Sequence, residues 1–311
     1  MTPSLEPESS PGPLTILSLL AAVLFWGSSF VATKIVLEEF SVPGYMFFRF
    51  LAASVLFALL LLFRGMPRIS RQDHLKLLLV AFFEPGLYFL FETEGLNRTG
   101  AADAALIIAS APVVVALFSR IILKERQSRR TLLGAAFSIV GVTVIVYGSR
   151  FAEGSERSLI GNLLVVGAVV AASLYMITAR SISSRVSTVH ITALQIFYGA
   201  LFFAPLYLFS TPLDWTAITP RSVAALLFLI VGATFIAFLA YNRALRDMSA
   251  AKASVWLNGI PVVTAITAWL LLGESLGVRH LLGGGLVVFG VLYAGRSEKP
   301  SRGRATLSPG R

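Results

Sequence analysis

Ten separate apolar stretches follow one another along almost the whole chain. Each is about 20 residues long, enough to cross a hydrocarbon core of about 30 Å. They fall near residues 14–37, 43–63, 75–96, 101–123, 131–148, 159–179, 191–210, 222–244, 250–272 and 279–295. The links between them are too short to hold an extramembrane domain, so the function must be carried out by helices inside the bilayer. A barrel would need alternating segments of about ten residues rather than continuous apolar runs. Composition agrees, because 311 residues at 56% hydrophobic, 14% charged and a mean hydropathy of +0.79 do not make a pair of soluble domains. The expected fold class is all-α, a polytopic membrane protein of ten transmembrane helices.

With no cysteine, the chain has no disulfide, thiolate nucleophile or cysteine-bound metal. His74, His190 and His280 are far apart and lack metal-ligand spacing, so no metal and no cofactor is expected. The net charge of +10 is explained by topology. Lys and Arg near span ends are retained in the cytoplasm. With both termini inside, nineteen basic residues fall on the inner side, six on the outer, and Arg49 lies within a span. That asymmetry orients the chain toward anionic inner-leaflet lipid and requires no nucleic acid. The expected location is a cell inner membrane with both termini cytoplasmic. Residues 1–13 read as a disordered tail without the basic start of a signal peptide, and residues 296–311 as a solvated basic tail.

Self-comparison at an offset of 149 sets Ala101-Ala102 on Ala250-Ala251, Pro112 on Pro261, Glu125 on Glu274, Gly134 on Gly283 and Gly141 on Gly290. Toward the front of each half an offset of 146 sets Lys34 on Arg180 and Arg49 on Gln195. The chain therefore divides into two five-span halves, 14–150 and 151–295. Five is odd, so the second half enters the membrane inverted. Inverted repeats are the usual basis of alternating access in secondary transporters; duplication kept only for packing is the other reading.

The segment Trp26-Gly27-Ser28-Ser29-Phe30 with Lys34, the run Gly100-Ala101-Ala102-Asp103-Ala104-Ala105, Ala111-Pro112 and Leu123-Lys124-Glu125-Arg126 together resemble the EamA-type branch of the drug/metabolite transporter superfamily. The pattern recurs in Ser249-Ala250-Ala251-Lys252-Ala253-Ser254, Pro261 and Gly273-Glu274. The resemblance covers nearly the whole chain. It implies a secondary transporter, often an exporter of amino acids, other small metabolites or drugs, with helices one to four and six to nine around a central cavity and helices five and ten peripheral. Ala172-Ser173-Leu174-Tyr175 lacks the Trp of the first repeat, so the two gates need not be symmetric.

Ionisable groups at membrane depth cost about 2.5 to 3.5 kcal/mol at a helix centre and are functional candidates by default. At a rise of about 1.5 Å per residue, Glu84 falls about 14 Å into the third span, close to mid-membrane. Glu84, Tyr88 and Glu92 are spaced i, i+4, i+8 and share a face. Arg49, on the antiparallel second span, lies at a depth comparable with Glu92. Arg49 is read either as a structural ion pair with Glu92 or as a ligand for a substrate carboxylate, which suits its planar fork. Glu84 is read either as a group that exchanges a proton or attracts a cation, or as a neutral acid bonded to backbone freed by Pro85. Glu94 and Asp103 are expected to face water, and Lys34, Arg120 and Arg180 to snorkel.

A solute pocket is mostly apolar with a few placed polar groups, and Trp26, Ser29, Tyr88, Ser110, Tyr175, Gln195, Tyr241, Trp256 and Asn258 are the candidate lining. Packing or interfacial anchoring is the alternative for each Trp and Tyr. Pro112 and Pro261, at equivalent places in the repeats, mark the fourth and ninth helices as hinges or as static kinks. The glycines Gly134, Gly141, Gly283, Gly284, Gly285 and Gly290 suit close helix packing within or between protomers, since no strand precedes the triplet and no phosphate-loop lysine follows it. Asn97-Arg98-Thr99 has glycosylation spacing but lies almost at a membrane end.

The favoured function is a secondary active transporter of a small molecule, with proton coupling as one option. A passive channel or facilitator is the main alternative. An intramembrane enzyme lacks a metal set, a nucleophile with a positioned base or a nucleotide motif, so no catalytic residue is expected. A receptor lacks a soluble domain. Monomer and homodimer both remain open.

Overall fold

The computed structural model describes residues 12–65, 69–122, 129–148, 155–180, 186–247 and 256–295. Both tails, the Leu123–Arg126 motif and the Ser249–Ser254 motif lie outside the described residues, as does the Arg180 side chain. The described residues form ten helices: α1 (Pro13–Val36), α2 (Val42–Arg64), α3 (Arg71–Leu96), α4 (Ala101–Ile122), α5 (Arg129–Gly148), α6 (Ser155–Arg180), α7 (Thr188–Leu208), α8 (220–247), α9 (Ile260–Leu272) and α10 (Val278–Gly295). Eight of them are long and apolar enough to span a bilayer, and α9 and α10 are shorter apolar helices. The chain is an all-helical, multi-pass membrane protein.

Local chemistry sets the helix starts. Ser41 caps α2 by accepting from the Gly44 amide at 3.3 Å, and Pro43 supplies a preorganised first turn. Ser70 caps α3 through the Asp73 amide at 3.1 Å and donates to the Asp73 carboxylate at 2.7 Å, a reciprocal arrangement that starts α3 at Arg71, earlier than hydropathy alone suggests. Thr219 caps α8 ahead of Pro220.

Two helices are interrupted, and at equivalent points. In α3 the turn at Phe82–Leu87 widens to π geometry, with the Glu84 backbone extended (φ −146°, ψ 117°) ahead of Pro85, which has no amide to donate. In α8 the π segment spans Phe228–Ile236. Residue 82 moved by the repeat offset of 146 is residue 228, so both repeats widen to π geometry in the same part of the same helix, and the α3 segment also leaves helical backbone angles at Glu84. A second pair of breaks lies in α4, at Ala109–Ser110 before Ala111-Pro112, and in the turn Asn258–Gly259 before Ile260-Pro261. These are also repeat equivalents, at the offset of 149.

Helices α5 and α10 pack along each other at very short range. A Cβ on Gly141 would stand 2.5 Å from the Gly283 carbonyl oxygen, one on Gly283 would stand 2.8 Å from that of Gly141, and one on Gly290 would collide with the Gly134 carbonyl. By sequence, Gly134 corresponds to Gly283 and Gly141 to Gly290; in space, each meets the other's counterpart. Equivalent helices therefore run antiparallel, as inverted copies must. Ser138, whose hydroxyl donates to the Val287 carbonyl at 3.2 Å, contacts its own repeat equivalent and marks the pseudo-twofold axis. The glycine stripe joins two helices of one chain.

Candidate functional site

A polar network runs through the apolar core where α1, α2 and α8 meet. Tyr45 and Arg49 are one turn apart on α2 and both buried. Arg49 donates from Nη1 to the Tyr45 hydroxyl at 2.7 Å and from Nε to Thr234 Oγ1 at 2.9 Å. The Tyr45 hydroxyl also lies 3.0 Å from Thr33 Oγ1 on α1. The guanidinium carbon stands 5.0 Å from the Phe89 ring centre, with Phe50 and Tyr45 at 5.8 and 5.9 Å. Each such face contributes about 0.5–2 kcal/mol toward holding a buried cation.

No ion pair within 4 Å joins Arg49 to Glu92 among the described residues, so the direct pair read from sequence is not the arrangement found. Buried Glu92 instead accepts from the Thr93 hydroxyl at 3.0 Å. The two charges still share surroundings, since Arg49, Glu92 and Glu84 all act electrostatically on the half-buried Tyr88. Glu92 is buried, and Glu84 and Tyr88 are half-buried beside the α3 break.

On the opposite wall the same motif appears in the second repeat. Gln195 Nε2 donates to the Glu84 carbonyl at 2.6 Å, closing a backbone group that the α3 break sets free. No hydrogen bond or ion pair reaches the Glu84 carboxylate among the described residues. Tyr175 lies close to Gln195 and Glu84. Trp26 sits 5.3 Å, ring centre to ring centre, from both Tyr241 and Phe238, and its indole donates to the Ala233 carbonyl at 3.0 Å in the α8 break. Trp26, Arg49, Glu84, Tyr88, Glu92, Tyr175, Gln195 and Tyr241 thus gather around the two interrupted helices.

The remaining candidates fall elsewhere. Trp256 packs with Leu19, Ala244 and Tyr241 at one end of that group. Ser29 bonds back to the Trp26 carbonyl at 2.7 Å, and Asn258 is half-buried in the turn before α9. Ser110 donates to the Ile107 carbonyl and lines a separate groove of about 420 Å³ between α4, α5 and α6. Pro112 is exposed, whereas Pro261 is buried and lines another groove between α9 and α10.

Two charged residues depart from expectation at the membrane face opposite the chain ends. Asp103 does not face water: it is 1% exposed, 3.1 Å from Arg279 and 3.0 Å from His280 on α10. His280 Nδ1 accepts the Gly277 amide at 2.9 Å, and its Nε2 stands 3.0 Å from Asp103 Oδ1. Lys34 does not snorkel freely but pairs with Glu274 at 3.1 Å. Glu94 is half-buried and paired with Arg98, four residues on. Nearby Glu39 accepts from the hydroxyl and amide of Thr219 at 2.6 and 2.8 Å, and these bonds hold its carboxyl below the usual carboxylate range.

Sequence reasoning missed Tyr45 and Thr234. Tyr45 was legible as the i−4 neighbour of Arg49, and Thr234 as the repeat equivalent of Tyr88.

A model of the EamA-like transporter family matches residues 13–147 and, a second time, residues 159–296. The chain belongs to the EamA-like transporter family. It is similar to the uncharacterised transporter YetK of Bacillus subtilis, at 27% identity over 88% of this chain and 84% of that one. An uncharacterised transporter of Archaeoglobus fulgidus is 29% identical over 90% of this chain and 98% of its own. A probable terminal-alkyne amino-acid exporter of Streptantibioticus cattleyicolor is 26% identical over 94% of this chain and 97% of its own. A solved structure described only as a crystal structure of a protein superposes with a TM-score of 0.62 at 21% identity, over 90% of this chain and 96% of that one; at that identity the likeness speaks for the fold alone. Family and relatives are transporters, not enzymes, and this EamA-family chain is a membrane transporter.

Proposed function

We propose that the protein is a secondary active exporter of a small carboxylate-bearing metabolite, an amino acid first among them, working by alternating access across a cell inner membrane with both termini in the cytoplasm. What supports this reading is the cluster of polar and aromatic side chains between α3 and α8, taken as the transport chamber. Among the described residues, one wall presents a buried Arg49 without a close carboxylate, the other presents a Glu84 carboxylate without a hydrogen-bond partner, and aromatic rings fill the space between. Arg49 is suited to a substrate carboxylate, and Glu84 to a proton or a substrate ammonium group. Trp26, Tyr88, Tyr175 and Tyr241 supply apolar walls, and the breaks near Pro112 and Pro261 allow α4 and α9 to bend. The repeat boundary near residue 150 belongs to the same reading. The exporter named in Streptantibioticus cattleyicolor makes amino acids the first compounds to test.

The test is flux in proteoliposomes with a panel of amino acids, organic acids and lipophilic cations, run with and without an imposed pH gradient. Export of a carboxylate-bearing compound that rises with the gradient supports the proposal. Flux that never exceeds the equilibrium distribution would make the protein a passive facilitator, and transport confined to cations without a carboxylate would remove Arg49 from substrate binding.

A further inference from the structure

We infer that Glu274 and Lys34 form the lock that holds the chamber shut on the membrane face opposite the chain ends. This rests on the alternating-access reading above and adds the residues that gate it.

The helices divide into two groups by packing. Helix α1 lies along α8 and α9, and α6 lies along α3 and α4. Each group therefore borrows a helix from the other repeat, and the chamber residues are shared between them: Trp26 and Tyr241 in the first, Glu84, Tyr88, Glu92 and Tyr175 in the second. Opening the chamber to one side requires the groups to part on that side.

Three polar contacts cross between the groups at one turn, Thr99–Ala102. Lys34, on α1 and eight residues or about 12 Å beyond Trp26, donates to the Thr99 carbonyl at 2.8 Å. Glu274 accepts from the amides of Ala101 and Ala102 at 3.1 and 3.4 Å. The first helical stretch of α4 has no side-chain cap of its own, since its N-cap is Gly100, so a carboxylate from the other group supplies the missing acceptor. Negative charge there also meets the positive end of the helix dipole. The Lys34–Glu274 pair at 3.1 Å then ties α1 into the same knot.

The backbone is arranged to let the lock close. Gly273 ends α9 in the left-handed region (φ +66°), which turns Glu274 back toward α4. A Cβ on Gly100 would come within 3.2 Å of the Glu274 carboxylate. A side chain at position 273 would strain the left-handed turn, and one at position 100 would crowd the carboxylate. Both lock residues are partly solvent-exposed, at 28% and 21%, so the contacts are reachable by water and can be exchanged for it. That suits a contact which must break in each cycle.

The test reads access to the chamber and needs no substrate. The chain lacks cysteine, so Tyr88→Cys gives one reporter thiol, probed with a charged, membrane-impermeant thiol reagent in sealed vesicles of each orientation. With the lock intact, labelling from the Lys34 side should be slow. Glu274→Gln and Lys34→Gln should each speed it about tenfold, as a coupling of ordinary size would, and slow labelling from the opposite side. Arg98→Gln, which breaks the nearby Glu94–Arg98 pair at the end of α3, should change neither rate. Unchanged rates in both lock variants, or equal acceleration by Arg98→Gln, would overturn the lock. Equal labelling from both sides before any lock substitution would instead overturn alternating access itself. Should Glu274→Gln lose its fold, as judged by gel filtration, Lys34→Gln decides the matter alone.

Discussion

Gln195 of α7 donates to the main-chain carbonyl of Glu84, 2.6 Å away in the break of α3. Its repeat counterpart, Arg49 of α2, donates to Thr234 in the break of α8 at 2.9 Å. Each half thus sends one polar side chain from its second helix into the interrupted helix of the other half. An unwound turn inside a membrane protein survives only if its freed backbone groups find partners in the protein. Gln195 meets that need at the Glu84 carbonyl, whereas Arg49 reaches a side-chain hydroxyl on α8.

Replacing Gln195 with leucine removes the donor and leaves the Glu84 carbonyl without that partner. The expected cost is about 1–3 kcal/mol, the penalty of an unmatched buried polar group. Thermal unfolding of the purified protein in detergent should shift to lower temperature, and flux should fall with it. Gln195→Glu, which keeps the size but loses the donor when ionised, should behave no better.

Arg49→Met keeps length and apolar contact with Phe89 while removing charge and both hydrogen bonds. Transport is expected to fall to background with membrane expression retained, and Glu92→Gln is expected not to rescue it, because no direct pair links the two residues. Expression and flux measured in the single and double variants check this. Recovery of folding in the double variant would instead assign Arg49 to balancing Glu92.

Glu84→Gln retains the shape of the side chain and cannot exchange a proton. The expected outcome is flux that no longer responds to an imposed pH gradient, with insertion and monodispersity unchanged. A variant whose pH response matched the parent chain would take Glu84 out of coupling.

Ten helices and the duplication were legible because each rests on a pattern that survives in one dimension: apolar length and a constant offset. The i, i+4 spacing of Glu84, Tyr88 and Glu92 holds as helical geometry from Tyr88 to Glu92, while Glu84 sits on extended backbone in the break, which spacing alone does not reveal. The partner of Arg49 was not legible either. Depth along two antiparallel helices set Arg49 level with Glu92, but contact depends on rotation about each axis, and that is fixed by packing against α8. Asp103 and Lys34 escape a hydropathy reading because it sends every span end to water, whereas short links fold the ends of α1, α4 and α10 onto one another. Ser110 is near Pro112 in sequence yet lies apart from the chamber, because its helix turns that face toward α5 and α6.

The glycine contacts between α5 and α10 give the sharpest stability contrast. At Gly141 a methyl group would meet the Gly283 carbonyl at 2.5 Å, a backbone atom that cannot rotate away, so Gly141→Ala must push the helices apart along the pseudo-twofold seam. Overpacking of this kind costs about 1–3 kcal/mol. A methyl group added to Gly285 on α10 would meet nothing within 4 Å, and Gly285→Ala should be neutral or stabilise by about 0.5–1 kcal/mol, the helix preference for alanine over glycine. Thermal melts of the two single variants in the same detergent check the difference. Equal melting temperatures would mean that α5 and α10 are not held at the separation described, and with that the antiparallel register through Ser138 and Val287 would lose its support.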